Sequence, residues 1–181
     1  FKFYGTSSRN TGTLAYTALA LLMLASTVSA SRRVLQRYSI SLVVVGFILS
    51  LYGILQSRGV DFYEFNNAYA SNVFGTFGNP NFQSAFLGVI SVLAFSMLFA
   101  ANLRLTLKAL YTILLILSLI GVYQTNSIQG FFNFVIGSAI FLFLFLYSKK
   151  YYRFSVAMSV LIVFGVVNIV LSFFQIGPLS D

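Results

Sequence analysis

The chain of 181 residues has no cysteine, no histidine and only three acidic residues. Without cysteine it can form neither disulfides nor thiolate metal sites. Without histidine it lacks the commonest general base and metal ligand. Three carboxylates leave little acid–base or cation-binding chemistry, so no metal and no cofactor is expected. Charge of either sign is scarce: 8% of residues are Asp, Glu, Lys or Arg, whereas ordinary soluble chains carry about 25%. That scarcity excludes an ordinary soluble domain.

What fills the chain is apolar. Hydrophobic residues make up 59% and the mean hydropathy is +0.90, which places the protein among integral membrane proteins. Six runs approach the roughly 20 residues needed to cross a hydrocarbon core. They lie at Gly12–Ala30, Tyr38–Gln56, Pro80–Ala101, Leu105–Tyr123, Ser127–Tyr147 and Phe154–Phe174, and none has a charge in its interior. The expected fold is all-α, a polytopic bundle of about six transmembrane helices. It forms one domain over residues 1–181, with an external loop at 57–79.

The net charge of +8 falls on one side of that bundle. Arg32, Arg33 and Arg37 lie before the second run, Arg104 just before the fourth with Lys108 at its very start, and Lys149, Lys150 and Arg153 before the sixth, eight basic residues without an acid. The other segments carry Lys2, Arg9 and Arg58 against Asp61, Glu64 and Asp181, which cancel. Lys and Arg favour the cytoplasmic side of short loops, so the basic turns are expected inside and both chain ends outside. Topology thereby accounts for the basic residues, and nucleic acid is not an expected partner. Membrane lipid is, including a minor contact with anionic headgroups. Lys2 and Arg9 run against the bias, and the chain opens on Phe1 rather than Met. Both features fit a segment of a longer membrane protein whose orientation is set upstream. No inverted repeat of transporter type is evident.

The external segment from Ser57 to Asn79 is the one long connection, and connections of this length are usually functional or disordered. It ends in Gly75-Thr76-Phe77-Gly78-Asn79-Pro80-Asn81. Asn79 suits an N-cap, and Pro80 suits the first helical position, where its missing N–H is not needed. Gly75 and Gly78 allow tight turns and close approach. The Ser127-Ile128-Gln129-Gly130 turn opens a second helix on the same face, with Asn126 or Ser127 as its cap. A helix start presents free N–H groups and a partial positive charge that favour phosphate. Arg58, Gly75, Gly78, Asn79, Asn81, Ser127 and Gln129 are therefore the candidate anion-binding residues. The competing reading is that Gly-rich turns before helices simply cap them, with Arg58 at the interface for solubility. Asp61 and Glu64 are three residues apart but too solvated for acid–base work. Asn133 and Asn168, each six residues from the outer end of its run, read as hydrogen-bonding glue that faces the bundle interior and could pair.

In order and setting these residues resemble the O-antigen ligase and O-antigen polymerase family. The resemblance rests on Tyr52-Gly53-Ile54-Leu55-Gln56 near a helix end, the Gly75–Asn81 heptapeptide opening the next helix, and the Thr125-Asn126-Ser127-Ile128-Gln129-Gly130 turn. It covers roughly Tyr52 to Gly137. It implies a multi-pass inner-membrane protein that takes glycan from undecaprenyl pyrophosphate at the periplasmic face. The chain departs from the family pattern in having Ser71-Asn72 where an arginine is common, and Ile128-Gln129 where the family's later turn has its arginine. The family's large periplasmic loop with its histidine would follow a helix like the last one here. Two other readings stand beside it. One is a transporter or flippase, which needs polar groups at mid-membrane. The other is a non-catalytic subunit that packs against protein partners through Gly46, Ser50, Gly53, Gly137 and Ser138.

Overall fold

A computed structural model describes residues 13–29, 31–62 and 73–173. Regular structure among them is wholly helical: α1 (Thr13–Ser29), α2 (Arg32–Gln56), α3 (Pro80–Leu98), α4 (Leu105–Gln124), α5 (Gln129–Ser148) and α6 (Tyr152–Phe173). Each helix coincides with one of the six apolar runs, so the all-α fold is as expected. Four stretches among the described residues are long and apolar enough to cross a membrane: Arg33–Gln56, Pro80–Leu98, Leu105–Gln124 and Gln129–Ser148. The described apolar stretches of α1 and α6 are shorter, Tyr16–Ser29 and Tyr152–Val163. The protein is a multi-pass helical membrane bundle.

One boundary differs usefully from the apolar pattern. α2 begins at Arg32 rather than Tyr38 and reaches 25 residues. Arginine is a good helix former, and its long stem lets the charged head reach water while the helix continues. Arg32, Arg33 and Arg37 thus belong to the first turns of α2 rather than to a loop. Glu64, the Asn66–Tyr69 run, Ser71, Asn72 and both chain ends lie outside the described residues.

The chain forms two compact units, Phe1–Ser41 and Leu42–Asp181. The first holds α1 and the opening turns of α2. The second holds the remainder of α2 and α3 to α6, and its organisation follows from α3. Facing residues along α2 and α3 are Gly46 with Ile90, Leu49 with Leu87, and Gly53 with Gln83. As one number rises the other falls, so the pair is antiparallel. α3 and α4 meet antiparallel as well, with Leu87 against Gly121 and Val122, Ser91 against Ser118, and Ile90 and Ala94 against Leu114. α3 and α5 instead run parallel. Ser84 lies beside Gly130, Gly88 beside Gly130 and Asn133, Val92 beside Gly137, and Phe99 beside Phe141 and Phe145.

Packing of this kind answers a membrane constraint. Lipid tails are as apolar as leucine, so helices associate through close backbone approach and interhelical hydrogen bonds rather than by hiding apolar surface. The interior is accordingly small and polar: Ser50, Gln83, Ser84, Ser91 and Ser118 are all fully buried. The bulky residues point outward, as with Leu110, Ile113, Ile116 and Ile120 along α4. Ser91 and Ser118 hydroxyls meet 2.8 Å apart. Whichever of the two does not donate across the gap returns its proton to its own helix, at Leu87 O or Leu114 O. The small residues Gly46, Gly53 and Gly137 are spent on contacts within the chain.

Arg104 in the α3–α4 turn and Lys108 in the first turn of α4 lie together, as do Lys149 and Lys150 in the α5–α6 turn and Arg153 at the start of α6. Since α3 and α5 are parallel, both turns lie at one end of the second unit, and the α2–α3 connection lies at the other. On the α5 side of the α3–α5 contact, Gly130 should be less replaceable than Gly137. A Cβ there would come closer than 3.0 Å to the Ser84 backbone oxygen, whereas at Gly137 it would meet only the side chain of Val92. Gly130→Ala should lower stability in detergent by about 1–3 kcal/mol, the usual range for overpacking, with Gly137→Ala costing less. Thermal unfolding of the two variants beside the parent chain checks the order.

Candidate functional site

At the α2–α3 end, the chain from Val73 to Asn79 forms a strap across the two helices. Val73 and Phe74 are buried, at 6% and 1% exposure. The strap is fastened by Gln56, in the last turn of α2. Its Oε1 accepts both the Phe74 and Gly75 amide hydrogens, each at 2.9 Å. Its Nε2 donates to Asp61 Oδ2 at 2.7 Å. The Tyr52 hydroxyl donates to the other Asp61 oxygen, and the Tyr52 ring stacks on Phe62 at 5.6 Å. One glutamine thus ties both described ends of the external segment to α2.

The start of α3 follows the expected cap chemistry. Asn79 is extended, and its side chain accepts the Asn81 amide at 2.9 Å, with Pro80 at the first helical position. The Phe82 and Gln83 amides both reach Asn79 O at 3.2 Å. The first donors of the helix are therefore satisfied within the chain. Positions that could meet a ligand lie slightly earlier, at exposed Thr76 and half-buried Gly78 and Asn79, whose amides make no hydrogen bond to a described residue. Gly75 and Gly78 have φ of +55° and +66°, a region that costs other L-residues about 1 kcal/mol or more. Both glycines are required by the turn. Asn81 is exposed one residue into the helix.

The start of α5 is built into the protein more deeply. Asn126 takes the left-handed conformation at φ 52°, which asparagine tolerates better than most residues. It makes the turn, and Ser127 does the capping: its hydroxyl accepts the Gln129 amide at 3.4 Å. Ser127 is itself buried, at 8% exposure. Its carbonyl accepts from the Ser84 hydroxyl at 3.0 Å, and the same hydroxyl accepts the Gly130 amide at 3.0 Å. Ser84 therefore satisfies an α5 donor and a turn carbonyl at once. Gln129 faces outward.

The structure brings the candidate residues together in two groups. Gly75, Gly78, Asn79 and Asn81 share the strap and the α3 start, while Ser127 and Gln129 share the α5 start. Ser84, one turn into α3, joins the second group to the first helix. Arg58 is exposed just beyond the end of α2, and its side chain has no hydrogen bond or ion pair with a described residue. Asn133 donates to Ala85 O of α3 at 3.1 Å, the interhelical bond expected, but to backbone and from an exposed position rather than the bundle interior. The side chain of Asn168 lies outside the described residues. Sequence reasoning missed Gln56, Gln83 and Ser84 as the organising polar groups. Their signal was present: each is a polar residue at or just inside the end of an apolar run, where a buried amide or hydroxyl needs partners.

Comparison with known protein families, with curated proteins and with solved structures yields no match to the chain. The functional reading rests on the residues themselves.

Gly75 and Gly78 should respond differently to alanine. A Cβ at Gly75 would press closer than 3.0 Å on the Gln83 amide, whereas at Gly78 nothing lies within 4 Å. Gly78→Ala should cost about 1 kcal/mol from backbone strain alone. Gly75→Ala carries that strain plus the clash and should cost more. Thermal unfolding of the two single variants tests the difference.

Proposed function

We propose that this protein is an inner-membrane O-antigen ligase/polymerase-like glycosyltransferase, or a segment of one. Its proposed substrate is a glycan carried on undecaprenyl pyrophosphate, transferred at the periplasmic face. One observation supports this most: α3 and α5 are parallel neighbours whose starts lie at the same end of the bundle, joined through Ser84. Parallel helix dipoles place their positive ends side by side, and such ends favour a phosphate group. The amides of exposed Thr76 and half-buried Gly78 and Asn79 and the cation of Arg58 add donors at that end.

In the proposed reaction an acceptor hydroxyl attacks the anomeric carbon of the lipid-linked sugar. The new C–O bond forms as the bond to the pyrophosphate breaks. Undecaprenyl pyrophosphate leaves with the electron pair, and the hydroxyl proton passes to solvent or a base. Charge builds on the departing pyrophosphate, so preorganised donors aimed at it would lower the barrier. Arg58, the strap amides and the two helix starts would hold the phosphates. Ser127, buried and committed to its cap, would act by fixing the α5 start, with Gln129 reaching outward.

Binding of the undecaprenyl-pyrophosphate-linked glycan to purified variants tests the reading. Arg58→Ala should weaken affinity roughly tenfold, as the loss of a charge-assisted hydrogen bond implies. Gly78→Val should weaken it too, while Lys149→Ala at the opposite end should not. Equal affinity across all three would reduce the Gly-Asn-Pro element to a helix cap. Orientation is tested separately in intact cells with a membrane-impermeant thiol reagent. A cysteine introduced at Thr76 should label, and one at Ser148 should not. Labelling only at Ser148 would invert the topology and remove the periplasmic site.

A further inference from the structure

Beneath the strap lies a second hydrogen-bond acceptor that the fold leaves unused. Gln83, in the first turn of α3, is fully buried, and its Oε1 has no hydrogen-bond partner among the described residues. Its Nε2 makes one long bond, to Leu49 O of α2 at 3.4 Å. The Gln83 amide sits directly against Gly75, so close that a Cβ on that residue would lie under 3.0 Å from Oε1. Gly75 is also one of the two residues held by Gln56 Oε1. Two glutamine carbonyls from two helices therefore flank the same glycine, one loaded with two amides and the other with none.

We propose that the strap is a two-position device in which the Gly75 amide moves between Gln56 Oε1 and Gln83 Oε1. Rotation of the Phe74–Gly75 peptide plane would turn the N–H from the α2 acceptor to the α3 acceptor, leaving Phe74 on Gln56. Glycine at positive φ is the residue that tolerates such a change of turn type. The rotation exchanges bonds: Gln56 gives up one of its two amides, and the Phe77 amide gives up Phe74 O, which now accepts it at 3.2 Å. Gln83 gains a partner for a carbonyl that is costly to keep buried alone, so the Gln83 position is the less populated of the two. A small difference between two packed arrangements is what a switch requires. The rotation also re-aims the peptide carbonyl of Phe74 and the backbone leading to Thr76 and Gly78. It would thereby change the exposed face of the strap without moving a helix. None of this depends on what the strap binds.

The full chain in detergent micelles or nanodiscs, labelled with ¹⁵N, tests the proposal through relaxation dispersion at the Gly75 amide, which reports exchange on the microsecond-to-millisecond scale. The parent chain should show dispersion there, and Gln83→Met, which keeps the length of the side chain but removes the acceptor, should quench it. Amide hydrogen exchange in Gln56→Met adds an independent readout. Phe74 should exchange roughly tenfold faster, about the worth of one lost hydrogen bond. Gly75 should keep most of its protection by resting on Gln83, and should lose it only in the Gln56→Met/Gln83→Met double variant. A flat dispersion profile at Gly75 in the parent overturns the proposal, as does dispersion that survives Gln83→Met. Equal acceleration of Phe74 and Gly75 in Gln56→Met would reduce Gln56 to a single fixed clasp.

Discussion

Everything in the second unit depends on how the first turns of α3 and α5 are satisfied. A helix start leaves N–H groups without partners, and near hydrocarbon there is little water to accept them. Here the solution is made from side chains of neighbouring segments. Asn79 closes α3 on itself, Ser127 takes the Gln129 amide, and Ser84 takes the Gly130 amide from across the helix interface. The last of these also fixes register. Once Ser84 lies beside Gly130, the parallel helices continue in step through Gly88, Val92 and Phe99. Bulky side chains are then free to face outward.

Much of this was legible in the sequence, because helix length and charge placement are strong signals in membrane proteins. Six apolar runs gave six helices, and the Asn79-Pro80 pair announced the α3 start. The cap of α5 was open between Asn126 and Ser127, and the left-handed backbone at Asn126 gives the turn to one and the cap to the other. What could not be read was partnership across helices. Nothing in the one-dimensional pattern says that Gln56 reaches forward to Phe74 and Gly75, 18 and 19 residues away. Nor does it say that Ser84 reaches 43 and 46 residues to Ser127 and Gly130. Hydropathy finds where a helix crosses, but it is blind to which polar residue at its end is already committed.

That distinction bears directly on function. The helix starts first read as open cradles of free N–H groups, but their leading donors are mostly occupied within the chain. The proposed site that remains is made of strap amides and the fields of two parallel helices, with the exposed Arg58 at the same end. Since α2 and α4 both finish at this end of the unit, their carbonyl ends offset part of the positive potential. An anion would therefore be favoured close to the α3 and α5 starts rather than over the whole face. Gly75 matters twice, first for the turn and again for the close approach of the Gln83 amide, whereas Gly78 matters for the turn alone.

The central claim is that a single buried hydroxyl, Ser84, holds the α3 and α5 starts together. Its most direct test compares Ser84→Ala with Ser96→Ala, which lies in the same helix and bonds only its own Leu93 carbonyl. Unfolding equilibria in mixed micelles should show Ser84→Ala losing about 1–3 kcal/mol, because a buried Gly130 donor is left unpaired, with Ser96→Ala close to the parent chain. Equal stability of the two variants would contradict the account and leave α3 and α5 held by shape alone.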